Sequence, residues 1–492
     1  MPGVQIRTGA TSGPAAPGRS PASTFFVVGQ AERGPTTAPV RVNSMSEFVR
    51  VFGTSTTYST LYDTLRTFFE EGGSRAYVMR VVGPAATKGQ LASSLQDRHA
   101  TTPVATLSVA AVSEGAWSSR VSVKVLDGAA TGVFRLQVLL DGRVVEDYAN
   151  LHNPAEAVAQ INDSPRASSY IRLTNMGSAT GAPLNNPAVT VSPVTLTAGA
   201  DDRASIVTGD YTDALTLFTD GLGDGAVSIP GLGSAVHAAL IAHADAFNRV
   251  ALLSAERSAD EATLLSTAAS LDAARAGLFA PWIKIPDGAG GTKVISPEGY
   301  IAAVRARAHD VTGPWRPAAG EVAKARWVLA PDAIFPNAND LDEGKVNVIV
   351  SIAASVRNYG WRSLSQDTLN WRYLSSADLV NRVVVEAKRL LEPYVYAPVD
   401  DRGHLLGAIA GTLEGLVKPI ADAGGLFGFM EEDETGTQVE RDPGYKIVVD
   451  GALNSRQVLA GNEVYAQLGL RPAPSAALIF LDVTKASVTA AL

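Results

Sequence analysis

The sequence contains no cysteine, and aromatic and charged residues make up only 7% and 18% of it. Without cysteine the chain can form no disulfide, no thiolate nucleophile and no cysteine-ligated zinc site. The chain also lacks a run of roughly eighteen apolar residues, which a membrane-spanning helix needs, and its first residues lack the charged and apolar parts of a signal peptide. We therefore expect a soluble protein that is made without an export signal and does not insert into a membrane.

The composition of the chain is that of a folded, multi-domain protein. Its 492 residues suggest about three domains. With 46% hydrophobic residues it can bury sizeable cores. The net charge of −8 argues against a direct nucleic-acid partner, because such proteins carry clustered lysine and arginine.

Four elements in the order strand, helix, helix, strand are predicted between residues 24 and 82. Apolar runs indicate buried strands at 24–28 and 76–82. A short helix capped by Ser44 or Ser46 ends at Gly53, and Ser59 caps a second helix that ends at a glycine pair. The pattern alone is typical of half of an ordinary α/β layer.

The literal residues of this block are more specific than their pattern. The series "FFVVGQAERGP", "V…S…F…VFG" and "L…FFEEGG…YVMRV" resembles the opening block of contractile-tail sheath proteins. Further strings resemble that family in the family's order, namely "LTAGADDRA", "APWIKI", "ISPEGYIAAVRARAHDVTGPWRPAAGE" and "LRPAPSAALIFLDV". The resemblance therefore covers nearly the whole chain.

The periodicity of the remaining chain predicts two kinds of structure. Alternating strands at 121–125 and 134–140, with one helix at 154–161, predict a β-sandwich between about 104 and 197. After residue 226, alternating strands and helices predict βα units and a parallel sheet. The predicted elements there are strands at 227–229, 250–253 and 282–285, helices at 235–247, 259–276, from 296, 376–391 and 403–423, and a hairpin around 445–449.

The resemblance adds a fold class and a division of the chain. It implies an α/β core, subtilisin-like with a mostly parallel sheet and helices, that carries an inserted β-sandwich domain and an α+β C-terminal domain. The expected segments are an extended N-terminal arm at 1–23, the first part of the core at 24–95, the β-sandwich at 96–200, the subtilisin-like domain at 201–370 and an assembly domain with a terminal strand at 371–492.

A search of the sequence for catalytic chemistry finds little. None of the six histidines lies in the glycine-rich context of a subtilisin triad, and no G-x-S-x-G elbow occurs. Gly221, Gly223 and Ala226 match a dinucleotide fingerprint, but Pro230 prevents the long helix that should follow, so a turn is the better interpretation. There is no P-loop, and His237 and His243 are not spaced as zinc ligands. We expect no enzyme, no catalytic residue, no cofactor and no metal.

The function implied by the resemblance is structural. A sheath subunit polymerises helically around the tail tube, and subunit rearrangement contracts the polymer and drives the tube through the host envelope. The implied partners are further copies of the chain, the tail tube protein, and baseplate and tail terminator proteins. The implied location is the tail of a virion that is assembled in the host cytoplasm. Two alternatives remain, a degenerate or active subtilisin-like hydrolase and a monomeric surface-binding module.

Two sets of residues are candidates for contacts between proteins. Val4 and Ile6 near the start, and Leu478 and Phe480 near the end, lie where the resemblance places strands that pair with neighbouring subunits. The acidic run predicts either a solvated loop or a contact with a basic partner such as the tube; it consists of Glu431, Glu432, Asp433 and Glu434.

Overall fold

The structure is a computed structural model, and it describes residues 23–163, 165–400, 402–432 and 438–477. The chain divides into two compact units. The first unit comprises residues 1–307 and 318–372, and the second comprises 308–317 and 373–492. No helix in the described part of the chain is long and apolar enough to cross a membrane.

The first unit is a mixed α/β structure. Its strands are β1 (Thr24–Gly29), β2 (Val40–Val42), β3 (Arg75–Arg80), β4 (Leu95–Gln96), β5 (Ala105–Ala111), β6 (Val121–Asp127), β7 (Phe134–Leu140), β8 (Arg143–Leu151), β9 (Ile171–Asn175), β10 (Val194–Thr195), β11 (Ala226–Ser228), β12 (Val250–Ser254), β13 (Ala276–Ala280), β14 (Ile283–Pro286), β15 (Thr292–Ile295), β16 (Ala330–Pro331), β17 (Val346–Ile352) and β18 (Ser355–Asn358). Its helices are α1 (Met45–Phe52), α2 (Leu61–Glu70), α3 (Pro154–Asn162), α4 (Thr208–Thr216), α5 (His237–Phe247), α6 (Glu261–Ala269), α7 (Glu298–Val311) and α8 (Ala338–Glu343), of which α7 ends in the second unit.

An eight-stranded sheet lies at the centre of the first unit, in the order β18-β17-β13-β12-β11-β1-β3-β2. The six inner strands are parallel, and β2 and β18 are antiparallel edges. Every residue of β1 is buried, as an inner strand covered on both faces requires. On one face the ring of Phe26 stacks on Tyr77 and meets Phe218 edge-on. The prediction of a mainly parallel sheet with helices is confirmed.

The predicted block between residues 24 and 82 is confirmed as β1, α1, α2 and β3. The Ser44 side chain caps α1 by accepting the Glu47 amide, and Gly53 ends the helix at φ +88°. Thr60 rather than Ser59 is the N-cap residue of α2, although the Ser59 hydroxyl does accept the Leu61 amide. The short edge strand β2 was not predicted.

Two antiparallel sheets, β10-β6-β7-β8 and β4-β5-β9, lie between β3 and β11 in the chain. Alternate residues of β6 and β7 point into one apolar core, where Trp117, Val123 and Leu136 are buried. The predicted helix is α3, which Asn153 caps. In the described residues no strand of these two sheets pairs with the central sheet. The boundaries of the five predicted segments stay a prediction.

The prediction of one helix over residues 259–276 is wrong. Helix α6 ends at Ala269, and Ala276 begins β13, a strand in the middle of the central sheet. The alanine-rich sequence favours a helix locally, but burial between β12 and β17 decides the conformation. The predicted strand at 282–285 exists as β14, yet it belongs to a separate antiparallel sheet with β15 and β16.

The second unit contains helices and two small antiparallel sheets. Its elements are α9 (Leu374–Leu391), α10 (His404–Asp422), β19 (Phe429–Glu432), β20 (Gln438–Asp442), β21 (Tyr445–Val448), α11 (Arg456–Ala460) and β22 (Gln467–Leu470). The two long helices were predicted and are confirmed. The hairpin expected around 445–449 is wrong, because β21 pairs with the distant β22, while the local hairpin is β19 with β20.

Candidate assembly surface

The β21–β22 sheet of the second unit is built from segments far apart in sequence. Strand β21 pairs antiparallel with β22. Beyond β22 the chain continues beside residues 425–427, where Phe427 N donates to Arg471 O at 2.8 Å and Ala473 N donates to Gly425 O at 3.0 Å. One face of this sheet packs on α10, through Val417 on the helix and Tyr445 and Ile447 on β21. The helix therefore covers one face of the sheet but not its edges.

Among the described residues, one edge of β21 has no partner strand. In the described part of the chain, β22 is the only strand that pairs with β21, and β19 and β20 pair only with each other. The unpaired backbone groups of such an edge can accept a further strand. An open edge beside a packed apolar face is the geometry that strand addition uses.

The β19–β20 ribbon exposes apolar and acidic side chains together. Phe429 and Met430 are 51% and 57% exposed. The Arg471 guanidinium lies 4.7 Å from the centre of the Phe429 ring, which also meets Phe427 edge-on. Exposed aromatic residues beside charge are typical of protein interfaces.

The acidic residues predicted as a contact lie partly on this ribbon. Glu431 and Glu432 are exposed on β19, and Glu431 forms an exposed ion pair with Arg441 at 2.9 Å. Their interpretation as a solvated loop needs revision, since they belong to a strand. Six of the predicted contact residues lie outside the described residues, and they are Val4, Ile6, Asp433, Glu434, Leu478 and Phe480.

Sequence reasoning missed the aromatic part of this surface. The residues "GLFGFM" before the acidic run contain two phenylalanines and a methionine separated by glycine. Apolar side chains are usually buried, whereas Phe427, Phe429 and Met430 are all more than 40% exposed. An apolar segment that leads directly into a run of acids was the available signal.

The contacts of the histidines do not form a catalytic triad. His237 Nε2 bonds the backbone oxygen of Ser254 at 2.9 Å, and His243 Nε2 accepts from Arg249 at 2.7 Å. His309 lies 3.5 Å from Asp378, and His152 pairs with Glu156 one turn away. His99 and His404 bond Thr102 and Asp400. In none of these contacts does a serine hydroxyl bond the imidazole, and no cluster of metal ligands occurs in the described residues.

The carboxyl edge of the central sheet, where ligands of α/β folds usually bind, holds a small cleft. Strand order reverses between β1 and β11, and the cleft there has a volume of about 250 Å³. Three of its polar groups are already bonded, since Gln30 donates to Tyr211 Oη at 2.6 Å and Lys293 pairs with Asp63, which lies outside the cleft. The glycines at 221 and 223 precede β11 instead of following a strand, so they form no dinucleotide fingerprint.

Comparison with known proteins gives matches at the level of structure. No protein-family model matches the chain, and a search of curated proteins finds no match either. Among solved structures, the sheath tail protein from Listeria innocua matches with a TM-score of 0.60 at 12% identity, over 87% of this chain and 89% of that chain. A chain of the anti-feeding prophage baseplate in its contracted state matches with a TM-score of 0.58 at 17% identity, over 98% of both chains.

The chain has the fold of contractile tail sheath proteins. A third match is the contracted helical sheath of the anti-feeding prophage, with a TM-score of 0.54 at 14% identity and 99% of both chains covered. This match therefore spans both units of the chain. Sequence identities this low show the fold alone.

Proposed function

We propose that this protein is the structural subunit of a contractile sheath, which polymerises helically and contracts by rearrangement of its subunits. The observation that carries the proposal is the full-length match to sheath chains, 99% of both chains for the contracted helical sheath. An unrelated enzyme that shared only the α/β core would match over that core and leave the insertion and the second unit uncovered.

The proposed partners follow from the same comparisons. Matches to a helical sheath and to a baseplate support contacts with further copies of this chain and with baseplate proteins. The exposed ribbon with Glu431 and Glu432 supports a contact with a basic surface, for which the tail tube is our candidate. A tail terminator completes the assembly, and we place the protein in a virion tail that is assembled in the host cytoplasm.

We infer that the protein is not an enzyme. The contacts of the histidines and of the cleft residues Gln30 and Tyr211 support this inference. The parallel sheet separately supports a subtilisin-like description of the core. A subtilisin-like core without a Ser-His-Asp arrangement serves as a scaffold. Fold alone is therefore no argument for hydrolysis.

The energy of contraction would be stored when the polymer assembles. A sheath that hydrolyses no nucleotide must move from one packing of its subunits to a more stable one. A difference of about 1 kcal/mol per subunit is the size of one modest contact. Multiplied over many cooperating copies, this difference becomes large, and we propose that it drives the tube through the host envelope and ejects the genome.

Electron microscopy of the expressed protein tests the proposal. We expect helical tubes of uniform diameter, either alone or on added tubes of the cognate tube protein, and a void-volume peak in gel filtration. A monomer that remains monomeric with the tube protein would contradict the proposal and favour a surface-binding module. Hydrolysis of a generic ester or peptide that is lost on changing one serine would favour the hydrolase.

A further inference from the structure

A cleft of about 460 Å³ lies in the first unit between α1 and the antiparallel insertion. Its volume falls in the range of roughly 300–1,000 Å³ that small-molecule sites occupy. Apolar side chains and three arginines line it, namely Val49, Leu140, Tyr170, Arg33, Arg50 and Arg120, together with one carboxylate, Glu32, which pairs with Arg120. This combination suits a ligand that is apolar over most of its surface and negatively charged at one end.

Arg33 is the most buried of these arginines, with 5% of its surface exposed. Its Nη2 donates only to backbone oxygens, those of Val49 at 3.1 Å and Arg50 at 3.2 Å. Its Nε is buried without a hydrogen-bond partner, and in the described residues no carboxylate forms an ion pair with it. Buried charges are normally paired, so this guanidinium lacks the carboxylate partner that a buried charge usually has.

Aromatic rings hold the Arg33 guanidinium in place. Its Cζ lies 4.9 Å from the centre of the Tyr170 ring and 5.6 Å from that of Trp117. Such stacking fixes the plane of a guanidinium and leaves its edge available for a planar anion. Tyr170 also lines the cleft, and it would lie beside the bound ligand.

The two other arginines differ in their availability. Arg120 forms ion pairs with Glu32 and, at 2.6 Å, with Asp141, so its guanidinium is already neutralised by carboxylates. Arg50 is exposed, and no ion pair to it occurs among the described residues. Arg33 and Arg50 are therefore the two cationic groups that a ligand could use, in a protein whose net charge is −8.

We propose that this cleft binds a small organic anion. Its carboxylate or phosphate would meet Arg33 and Arg50, and its apolar body would lie against Val49, Leu140 and Tyr170. Arginine recognises both kinds of anion through paired hydrogen bonds. This site is independent of the proposed sheath function, and its test needs only the folded chain.

Calorimetric titration of the full-length protein tests the site with four probes: 2-naphthoate, 2-naphthyl phosphate, neutral 2-naphthamide and inorganic phosphate. We expect at least one aromatic anion to bind about tenfold more tightly than the amide, which lacks the charge. We expect inorganic phosphate, which lacks the apolar body, to bind more weakly than naphthyl phosphate. The two aromatic anions distinguish a carboxylate site from a phosphate site. Absence of binding by both anions at millimolar concentration, or equal binding of the amide, would overturn the proposal.

Variants of the arginines assign the binding to this cleft. Arg50→Gln changes an exposed side chain, so it should fold normally and lose about tenfold in affinity. Arg33→Met should lose at least as much, provided that circular dichroism shows a native fold. Arg316→Gln changes an exposed arginine outside the cleft and is the matched control. If Arg50→Gln binds the anion as tightly as the control does, the cleft is not the site.

Discussion

The Arg80 guanidinium donates from Nη2 to the Asp201 carboxylate at 2.8 Å, across 121 residues of sequence. Arg80 ends β3, where the chain leaves the central sheet, and Asp201 lies where it returns from the insertion. The Gly83 amide donates to the Asp201 backbone oxygen at 2.9 Å, which brings the two connections together. Arg80 is fully buried and Asp201 nearly so. Burial is the main cause that lowers the pKa of Arg80 and raises the pKa of Asp201.

Asp201→Ala should destabilise the protein strongly, because it leaves the buried Arg80 guanidinium with only the more distant carboxylate of Glu114, at 4.0 Å. Breaking a buried ion pair on one side costs about 3–5 kcal/mol. Urea unfolding followed by circular dichroism measures this change as a lower midpoint at an unchanged slope. Proteolysis should also cut the connections near Gly83 and Asp202 sooner than in the unchanged protein.

Asp147→Ala is the matched control for this prediction. Asp147 pairs with Arg135 on the surface of the insertion, where both side chains are at least one-third exposed. An exposed pair contributes about 1 kcal/mol or less. If the two variants lose the same free energy of unfolding, the Arg80–Asp201 pair does not stabilise the connections between the central sheet and the insertion.

Acid should weaken the first unit through His243, which is buried against Arg249. Burial, followed by the charge of Arg249, lowers the pKa of His243 to about 3. The unfolded chain, with a histidine pKa of about 6.5, binds more protons between these two values. The free energy of unfolding should therefore fall as the pH falls from about 6.5 towards about 3.

His243→Gln should remove this part of the pH dependence and keep an acceptor for Arg249. At pH 5 the unchanged protein should have lost about 2 kcal/mol more of its free energy of unfolding than the variant has, since one pKa unit corresponds to about 1.4 kcal/mol. Thermal melting between pH 7 and pH 4.5 measures it. Leu240→Val, a change in the same buried face of α5, should lower stability equally at every pH. If His243→Gln loses stability in acid as much as the unchanged protein does, His243 does not have this role.

Local patterns predicted the elements that local sequence decides. Strand β1 is an uninterrupted apolar run, and α1 has its cap at Ser44 and its stop at Gly53, so periodicity and capping found both. The long helices α9 and α10 were found for the same reason. Their apolar faces repeat over at least four turns, which leaves few alternatives.

Long-range pairing decided the elements that the sequence did not reveal. The "AGLFA" residues of β13 follow an alanine-rich helix, and only burial between β12 and β17 makes them a strand. Strand β21 was recognised, but it ends at Val448 and its partner β22 begins only at Gln467. Helix α11 lies between the two strands, so no local turn signal indicates their pairing.

The candidate surface was predicted only in part. The acids at 431 and 432 were found as a charge run, but their place on a strand beside exposed Phe429 depends on the pairing of β19 with β20. Charge is visible in a sequence, whereas exposure of an apolar side chain depends on what packs against it.

The acidic ribbon should contribute to assembly on tubes in a salt-dependent way. Glu431→Gln combined with Glu432→Gln should weaken tube-dependent assembly most at low salt, because screening acts over about 10 Å at 0.1 M salt. Sedimentation of sheath with tubes at about 20 mM and about 300 mM salt measures this. Glu343→Gln with Glu392→Gln removes the same charge from exposed positions elsewhere and is the control. If assembly is unchanged at both salt concentrations, Glu431 and Glu432 do not contact the tube and are only solvated surface residues.

We propose that the N-terminal segment of a neighbouring copy adds a strand to the edge of β21 that has no partner among the described residues. Residues 2–7 alternate Val4 and Ile6 between polar residues, and the glycines and prolines that follow, from Gly9 to Pro21, disfavour a local hairpin. Strand addition at an open edge forms backbone hydrogen bonds without requiring a particular side chain. A flexible connection would let such a pairing persist while the bodies of the subunits move.

Deletion of residues 1–20 should therefore abolish sheath polymers and leave the monomer intact. These residues precede β1, so the buried core that begins at Thr24 loses none of its described members. We expect an unchanged melting temperature, a monomer in gel filtration and no tubes in electron micrographs. In the full-length chain, replacement of Val4 and Ile6 by Asp should give the same result, because it keeps the length of the arm and removes its strand preference. Gln5→Asp combined with Thr8→Asp is the control. It adds the same charge at polar positions, and this variant should still assemble. Long sheaths from the truncated chain would exclude the arm as a connector, and loss of the monomer's melting transition would show that the arm belongs to the fold of its own subunit.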